Sequence, residues 1–119
     1  MNVLIQKYID YSIEHGKFTL NGDHKNGNKA HKNLMNTLEK IKLENKEVKQ
    51  EFYELLNFEN DSVKIWTAVT LIETFKDKCV KVLSEIAKNN KTILSLNAET
   101  TLEMWKKGML ENLINWENK

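Results

Sequence analysis

Asp61-Ser62-Val63-Lys64-Ile65-Trp66-Thr67-Ala68-Val69-Thr70-Leu71-Ile72-Glu73-Thr74-Phe75 is the stretch whose reading decides the fold. Its apolar face takes in Val63, Trp66, Ala68, Val69, Leu71, Ile72 and Phe75, at steps of one, two and three residues. Alternation by two, the mark of a half-buried strand, is absent. The face is broader than a single stripe, so this segment predicts the most buried helix of an all-α core. Asn60 or Asp61 stands where a helix N-cap belongs.

The same rhythm extends in both directions. Upstream, Asn45 caps a helix whose buried stripe is Val48, Phe52, Leu55 and Leu56, ending near Phe58. Before it, Ala30, Leu34, Leu38 and Ile41 step by four, three and four from Lys29 to Lys42. Lys40 and Lys42 then face the negative end of that helix dipole. The first helix is predicted over Asn2–His15, with Leu4, Ile5, Tyr8, Ile9, Ser12 and Ile13 inward, Asn2 as cap and Gly16 as stop. The polar stretch from Asn21 to Asn28 reads either as a loop or as the weakly helical start of the second helix. Downstream, Asp77 is expected to cap a fifth helix carrying Cys79, Val80, Leu83, Ile86 and Ala87, closed by Asn89 and Asn90. Ser95 or Asn97 opens a sixth, with Ala98, Thr101, Leu102 and Trp105 inward and Gly108 as its C′ residue. A short terminal helix, Leu110 to Trp116, lays Leu113, Ile114 and Trp116 over the end of the core.

From Asn45 the pattern helix, turn, helix restarts near Asp77, a period of about 32 residues, the scale of stacked helical hairpins. The expectation is a single domain over residues 1–119, an α-α superhelix of six or seven helices in antiparallel hairpins. A compact antiparallel bundle fits the same periodicity. The chain has no proline and four glycines, which favours long helices joined by short connections. At 119 residues it can bury roughly two-thirds of the surface its unfolded form exposes.

Composition narrows the function classes. The net charge is +1 and every basic residue is lysine. Arginine, which forks onto phosphates and guanine edges, is missing, and lysines and acids are spread along both halves of the chain. A basic groove for DNA is therefore not expected. Cys79 stands alone, which rules out an intramolecular disulfide and a cysteine-based zinc site; Lys78 and Val80 give it no general base. His24 and His31, seven residues apart, are separated by about 10 Å along a helix, too far to share one ion unaided. No cofactor or metal is expected, and no catalytic constellation is present. Met1 to Ile13 does not read as a signal peptide, and no run is long enough to cross a bilayer. A soluble, reduced, cytoplasmic protein is predicted.

Leu55-Leu56-Asn57-Phe58-Glu59-Asn60-Asp61-Ser62-Val63-Lys64-Ile65-Trp66-Thr67-Ala68 resembles the signature of a family of short bacterial HEAT-like proteins catalogued as a domain of unknown function. That family typically shows a paired leucine, an acidic turn, Val-Arg-x-Trp-Ala-Ala, and later Ala-x-x-x-Leu-x-x-Trp-x-x-Gly. The second piece is matched by Ala98, Leu102, Trp105 and Gly108, and Lys25 to Met35 resembles the polar start of the family's second helix. The likeness covers roughly residues 3–110. Lys64 replaces the family's arginine and Thr67 the first alanine, so the charge is kept without the bidentate fork.

Family members resemble small helical proteins found beside bacterial polymorphic toxins. The resemblance thus implies a non-enzymatic immunity protein that binds a cognate toxin. The acidic residues Glu51, Glu54, Glu59 and Asp61 are candidates to meet a basic toxin, with Trp116 as an anchor. Trp66 and Trp105 are expected in the core, and the three histidines exposed to solvent. The competing readings are a scaffold binding a peptide or host protein and, further off, a DNA-repair enzyme of HEAT-like fold.

Overall fold

Local capping decides where each helix begins. In the structure, a computed structural model that describes residues 2–89 and 92–109, the Asn2 side chain accepts from the Leu4 N–H and opens α1 (Val3–Asn21). Asp23 caps α2 (His24–Lys42), Asn45 caps α3 (Lys46–Glu54), and a single 3₁₀ turn, Leu55–Asn57, follows. Asn60 accepts from both Ser62 and Val63 at the start of α4 (Asp61–Leu71). α5 (Lys76–Asn89) and α6 (Ile93–Lys106), the latter capped by Thr92, complete the described elements. The protein is all-α, with six α-helices and no strand among the described residues.

The expected boundaries shift in instructive ways. The first helix does not stop at Gly16 but continues six residues past His15 to Asn21. Gly22, at φ 75°, is the true stop: the Asp23 and Gly22 N–H groups donate back to Phe18 and Thr19, the double bond of a Schellman closure. Asn21–Asn28 is accordingly not a loop, and the second helix starts at His24. The fourth helix ends at Leu71 rather than Phe75, because the Thr74 and Phe75 N–H groups both turn onto the Leu71 carbonyl. Phe75 is left 38% exposed, edge-on to Tyr53 at 5.0 Å. Asp77 is not a cap: the Cys79 N–H already bonds to the Phe75 carbonyl, which puts Asp77 in the first turn of α5. Thr92, not Ser95 or Asn97, caps the sixth helix by accepting from the Ser95 N–H. Gly108, at φ 70°, closes α6 as expected. The expected helix from Leu110 to Trp116 lies outside the described residues.

Packing follows from the tight turns. Gly22-Asp23 folds α1 and α2 into an antiparallel hairpin, and α5 pairs with α6. α4 packs more extensively on α5 and α1 than on α3, so the middle hairpin expected from the repeat spacing is not a closed pair. Stacked hairpins touch only their neighbours; here α1 also reaches α6, so the first and last hairpins meet. The Cα radius of gyration is 13.5 Å, matching the roughly 13.5 Å of a compact domain of this length.

One core joins all six helices. Ile5, Tyr8, Leu34, Leu38, Ile41, Phe52, Leu56, Val63, Leu71, Ile72 and Leu83 are wholly or almost wholly buried in it. Hydroxyl groups inside it are satisfied without leaving the helix: Ser12, Thr37 and Thr67 each donate to the carbonyl four residues back. Gly16 has a different task. Buried where α1 crosses α4, it lets the Ser62 side chain sit where a Cβ would be.

Candidate functional site

Three helices that pack closely at one end of the core leave a cleft between them. α1 contributes His15 and Thr19, one turn apart. α4 contributes Ser62, Ile65, Trp66 and Val69, a single face at helical spacing. α6 contributes Leu94, Asn97, Thr101 and Met104, and Met109 follows beyond the Gly108 turn. The cleft measures about 430 Å³, within the roughly 300–1,000 Å³ of sites that take small molecules or anchoring side chains. Its described lining contains no lysine, aspartate or glutamate, although 29% of the chain is charged.

An aromatic cluster forms one wall. The Trp66 ring stands edge-on to His15, centroids 5.2 Å apart, and 5.4 Å from His31 of α2; the two imidazoles are 6.1 Å apart. His15 and His31 are therefore half-buried against Trp66, contrary to the expectation of solvent-exposed histidines. Burial lowers the His15 pKa below the ordinary histidine value, and His31 opposite adds to the effect. At neutral pH the His15 imidazole is uncharged. Thr19 donates its hydroxyl to the His15 carbonyl, so only its acceptor capacity remains for a ligand.

The polar groups are few and sit among apolar neighbours. Ser62, Asn97, Thr101 and Thr19 offer hydrogen bonds along the edges; Ile65, Val69, Leu94, Met104 and Trp66 offer dispersion. Beside the cleft on α6, Ile93 and Leu96 are 47% and 59% exposed. Helical spacing puts them next to Asn97 and Met104, so apolar surface continues out of the cleft onto the helix.

The acidic candidates do not form one face. Glu51 and Glu54 border a groove with Ile5, Leu55, Asn57 and Phe58, and Glu51 also accepts from the Asn2 backbone N–H at 3.3 Å. Asp61 lies in another cleft, between α4 and α5, among Lys64, Lys78, Lys81 and Glu85, where lysine offsets its charge. It also occupies the first turn of α4, where a carboxylate complements the helix dipole. Glu59 is exposed in the turn before α4. Trp116 lies outside the described residues. Trp66 is only half-buried, at the cleft, and Trp105 is half-buried with the Lys76 ammonium 5.6 Å from its ring centre.

Among the described residues no group of three or more His, Cys, Asp and Glu side chains is placed to hold a metal ion. Cys79 is fully buried in the core, and burial pushes its thiol up to about 12. In the native protein it should react with a disulfide reagent at least about 100-fold more slowly than in the urea-unfolded chain at pH 8. Equal rates would place the thiol at the surface. No described helix is long and apolar enough to cross a membrane.

Fold and site together define an all-helical domain with an uncharged, half-open apolar cleft. Comparison with known proteins finds no family model that matches the chain, and no curated protein or solved structure with significant similarity.

Proposed function

We propose that the protein is a non-enzymatic binding domain that takes an uncharged, apolar segment of a protein partner into the cleft between α1, α4 and α6. The observation carrying this reading is the charge-free lining of that cleft together with the exposed Ile93, Leu96 and Met104 beside it. Protein interfaces have such an anatomy, an apolar centre with polar groups at the edge, and tryptophan and methionine are favoured anchors there. A charged side chain entering the cleft would lose its hydration and find no counter-charge, which selects for a neutral anchor.

The resemblance to short bacterial HEAT-like proteins supports a narrower form of the proposal. In that form the partner is a cognate toxin, the protein neutralises it in the cytoplasm, and its hairpins belong to the HEAT-like superhelical class. Glu51 and Glu54, and with them Glu59 and Asp61, would then steer a basic toxin toward contact while the apolar cleft holds it. A scaffold for a peptide or host protein uses the same cleft without neutralising anything.

The test is co-expression with the variable C-terminal domain of the large secreted protein encoded beside it. Growth rescue by the wild type, lost in Leu94→Asp and Met104→Glu variants that keep their helical circular dichroism, supports toxin neutralisation. Absence of rescue by the wild type removes the immunity reading. Rescue that survives both substitutions removes the cleft as the contact.

A further inference from the structure

The cleft wall carries the two histidines nearest to each other in space, His15 and His31, on either side of the ring that shapes it. Resting on the reading of the cleft as a binding site, we infer that the His15–Trp66–His31 cluster couples its occupancy to protons, so that the cleft holds an uncharged apolar group at neutral pH and releases it on acidification.

The argument begins with who faces whom. His15 projects from α1 into the cleft; from α2 the facing titratable group is His31. α4 turns Ser62, Trp66 and Val69 toward the cleft and α6 turns Leu94, Asn97 and Thr101, none of them ionisable in the range concerned. No carboxylate lines the cleft to stabilise an imidazolium, and a second proton on His31 meets the first at a ring separation of 6.1 Å. The edge-on Trp66 ring gives His15 little of the face-on attraction that a cation receives over an aromatic ring. The one acidic-range change available to this wall is thus the appearance of positive charge on an apolar surface.

Filling the cleft removes more water from His15 and lowers its pKa further. The sign follows directly. Because the bound form has the lower pKa, affinity is full above the pKa of the free protein, and falls as pH drops through it toward the pKa of the complex. One proton sets a ceiling of about tenfold per pH unit. The chemistry selects the occupant as well as the pH: a cationic group meets His15 and His31 with no carboxylate to offset them, and a neutral aliphatic or aromatic group does not.

The experiment uses the full chain and the neutral fluorescent probe N-phenyl-1-naphthylamine, titrated from pH 8 to pH 5. Binding at pH 8 and a roughly three- to tenfold weaker affinity at pH 5 are expected for the wild type. In His15→Gln the affinity at pH 8 stays within about twofold while its pH dependence is lost. Affinity that is flat with pH in the wild type overturns the proton coupling and leaves the cleft standing as a site. Failure to bind at pH 8 by a folded protein takes down the reading of the cleft, and the coupling with it. Imidazole proton resonances give a check independent of the probe. The His15 midpoint should lie below the ordinary value of about 6.5 and rise toward it in His31→Gln; a midpoint at or above that value in the wild type overturns the inference.

Discussion

Tyr8→Ala is expected to lower the stability of the protein by about 3–5 kcal/mol in urea denaturation. Against the roughly 5–15 kcal/mol that holds a domain of this size folded, that leaves a protein near its unfolding threshold. Tyr8 is completely buried on α1, packs edge-on against Phe52 of α3 with ring centroids 5.1 Å apart, and joins its hydroxyl to Thr67 of α4 at 2.9 Å. Removing the side chain therefore opens a cavity where three helices meet. The hydroxyl contact makes a finer prediction. Thr67 already donates its own proton to the Val63 carbonyl at 2.7 Å, so the Tyr8 O–H is the donor and the Thr67 oxygen the acceptor.

Tyr8→Phe deletes donor and proton together and should cost about 1 kcal/mol. Thr67→Val leaves the Tyr8 O–H buried with no acceptor and should cost about 1–3 kcal/mol, more than its counterpart although the same bond is broken. The double variant should recover part of that difference. If Tyr8→Phe proves the more damaging of the two, the donor assignment is wrong. Burial also raises the Tyr8 phenol pKa, the hydrogen bonds opposing it only in part. Stability linked to that group is full below about pH 10 and is lost as pH rises beyond it.

What could be read from the sequence was what depends on a few neighbouring residues. Asn45 and Asn60 act as caps because an Asn side chain reaches N–H groups two or three residues on, wherever the helix later packs. Gly108 closes α6 for an equally local reason, its left-handed backbone. Phe52, Leu56, Val63 and Leu71 fell on stripes and are buried. Gly16 and Gly22 mark the limit of such reading. Both are glycines near a helix end in sequence, and only the partner helix tells a crossing point from a stop.

The cleft was illegible for a related reason. Its lining comes from residues 15–19, 62–69 and 94–109, three segments far apart in the chain. Periodicity identifies the apolar face of each helix but not which part of that face its neighbours leave uncovered. Trp66 looked like core because its spacing is that of core; α6 stops short of covering it, so it becomes a wall. His15 and His31 looked like surface because each is polar and isolated in sequence. The α1–α2 hairpin, closed at Gly22, brings them within 6.1 Å of one another. The acidic candidates failed to gather for the converse reason: Asp61 belongs to the α4–α5 side, among lysines, and Glu51 and Glu54 to α3.

The Gly16–Ser62 crossing is where fold and cleft are most tightly linked, and Gly16→Ala should expose the link. On helix propensity alone the substitution is favourable by about 1 kcal/mol, since glycine is a poor residue inside a helix. Here a Cβ overlaps the Ser62 hydroxyl and comes within 2.9 Å of the Ser62 Cβ. Rotating the hydroxyl relieves the first contact and not the second, so α1 and α4 must move apart, at a typical cost of about 1–3 kcal/mol. The expected sum is a net loss of stability for alanine. For Gly16→Leu, whose bulk cannot be placed in the crossing at all, the expected result is loss of the cooperative native fold. Adding Ser62→Gly to Gly16→Ala removes both overlapping atoms and should restore part of the loss, despite the added helix glycine. A Gly16→Ala protein as stable as the wild type would show that α1 and α4 do not approach at this point. Because Ser62 also lines the cleft, with His15 beside Gly16, any separation of the two helices widens the site. Gly16→Ala should thus weaken binding of the neutral probe at pH 8 even under conditions where the protein remains fully folded, and the Ser62→Gly addition should bring affinity and stability back together.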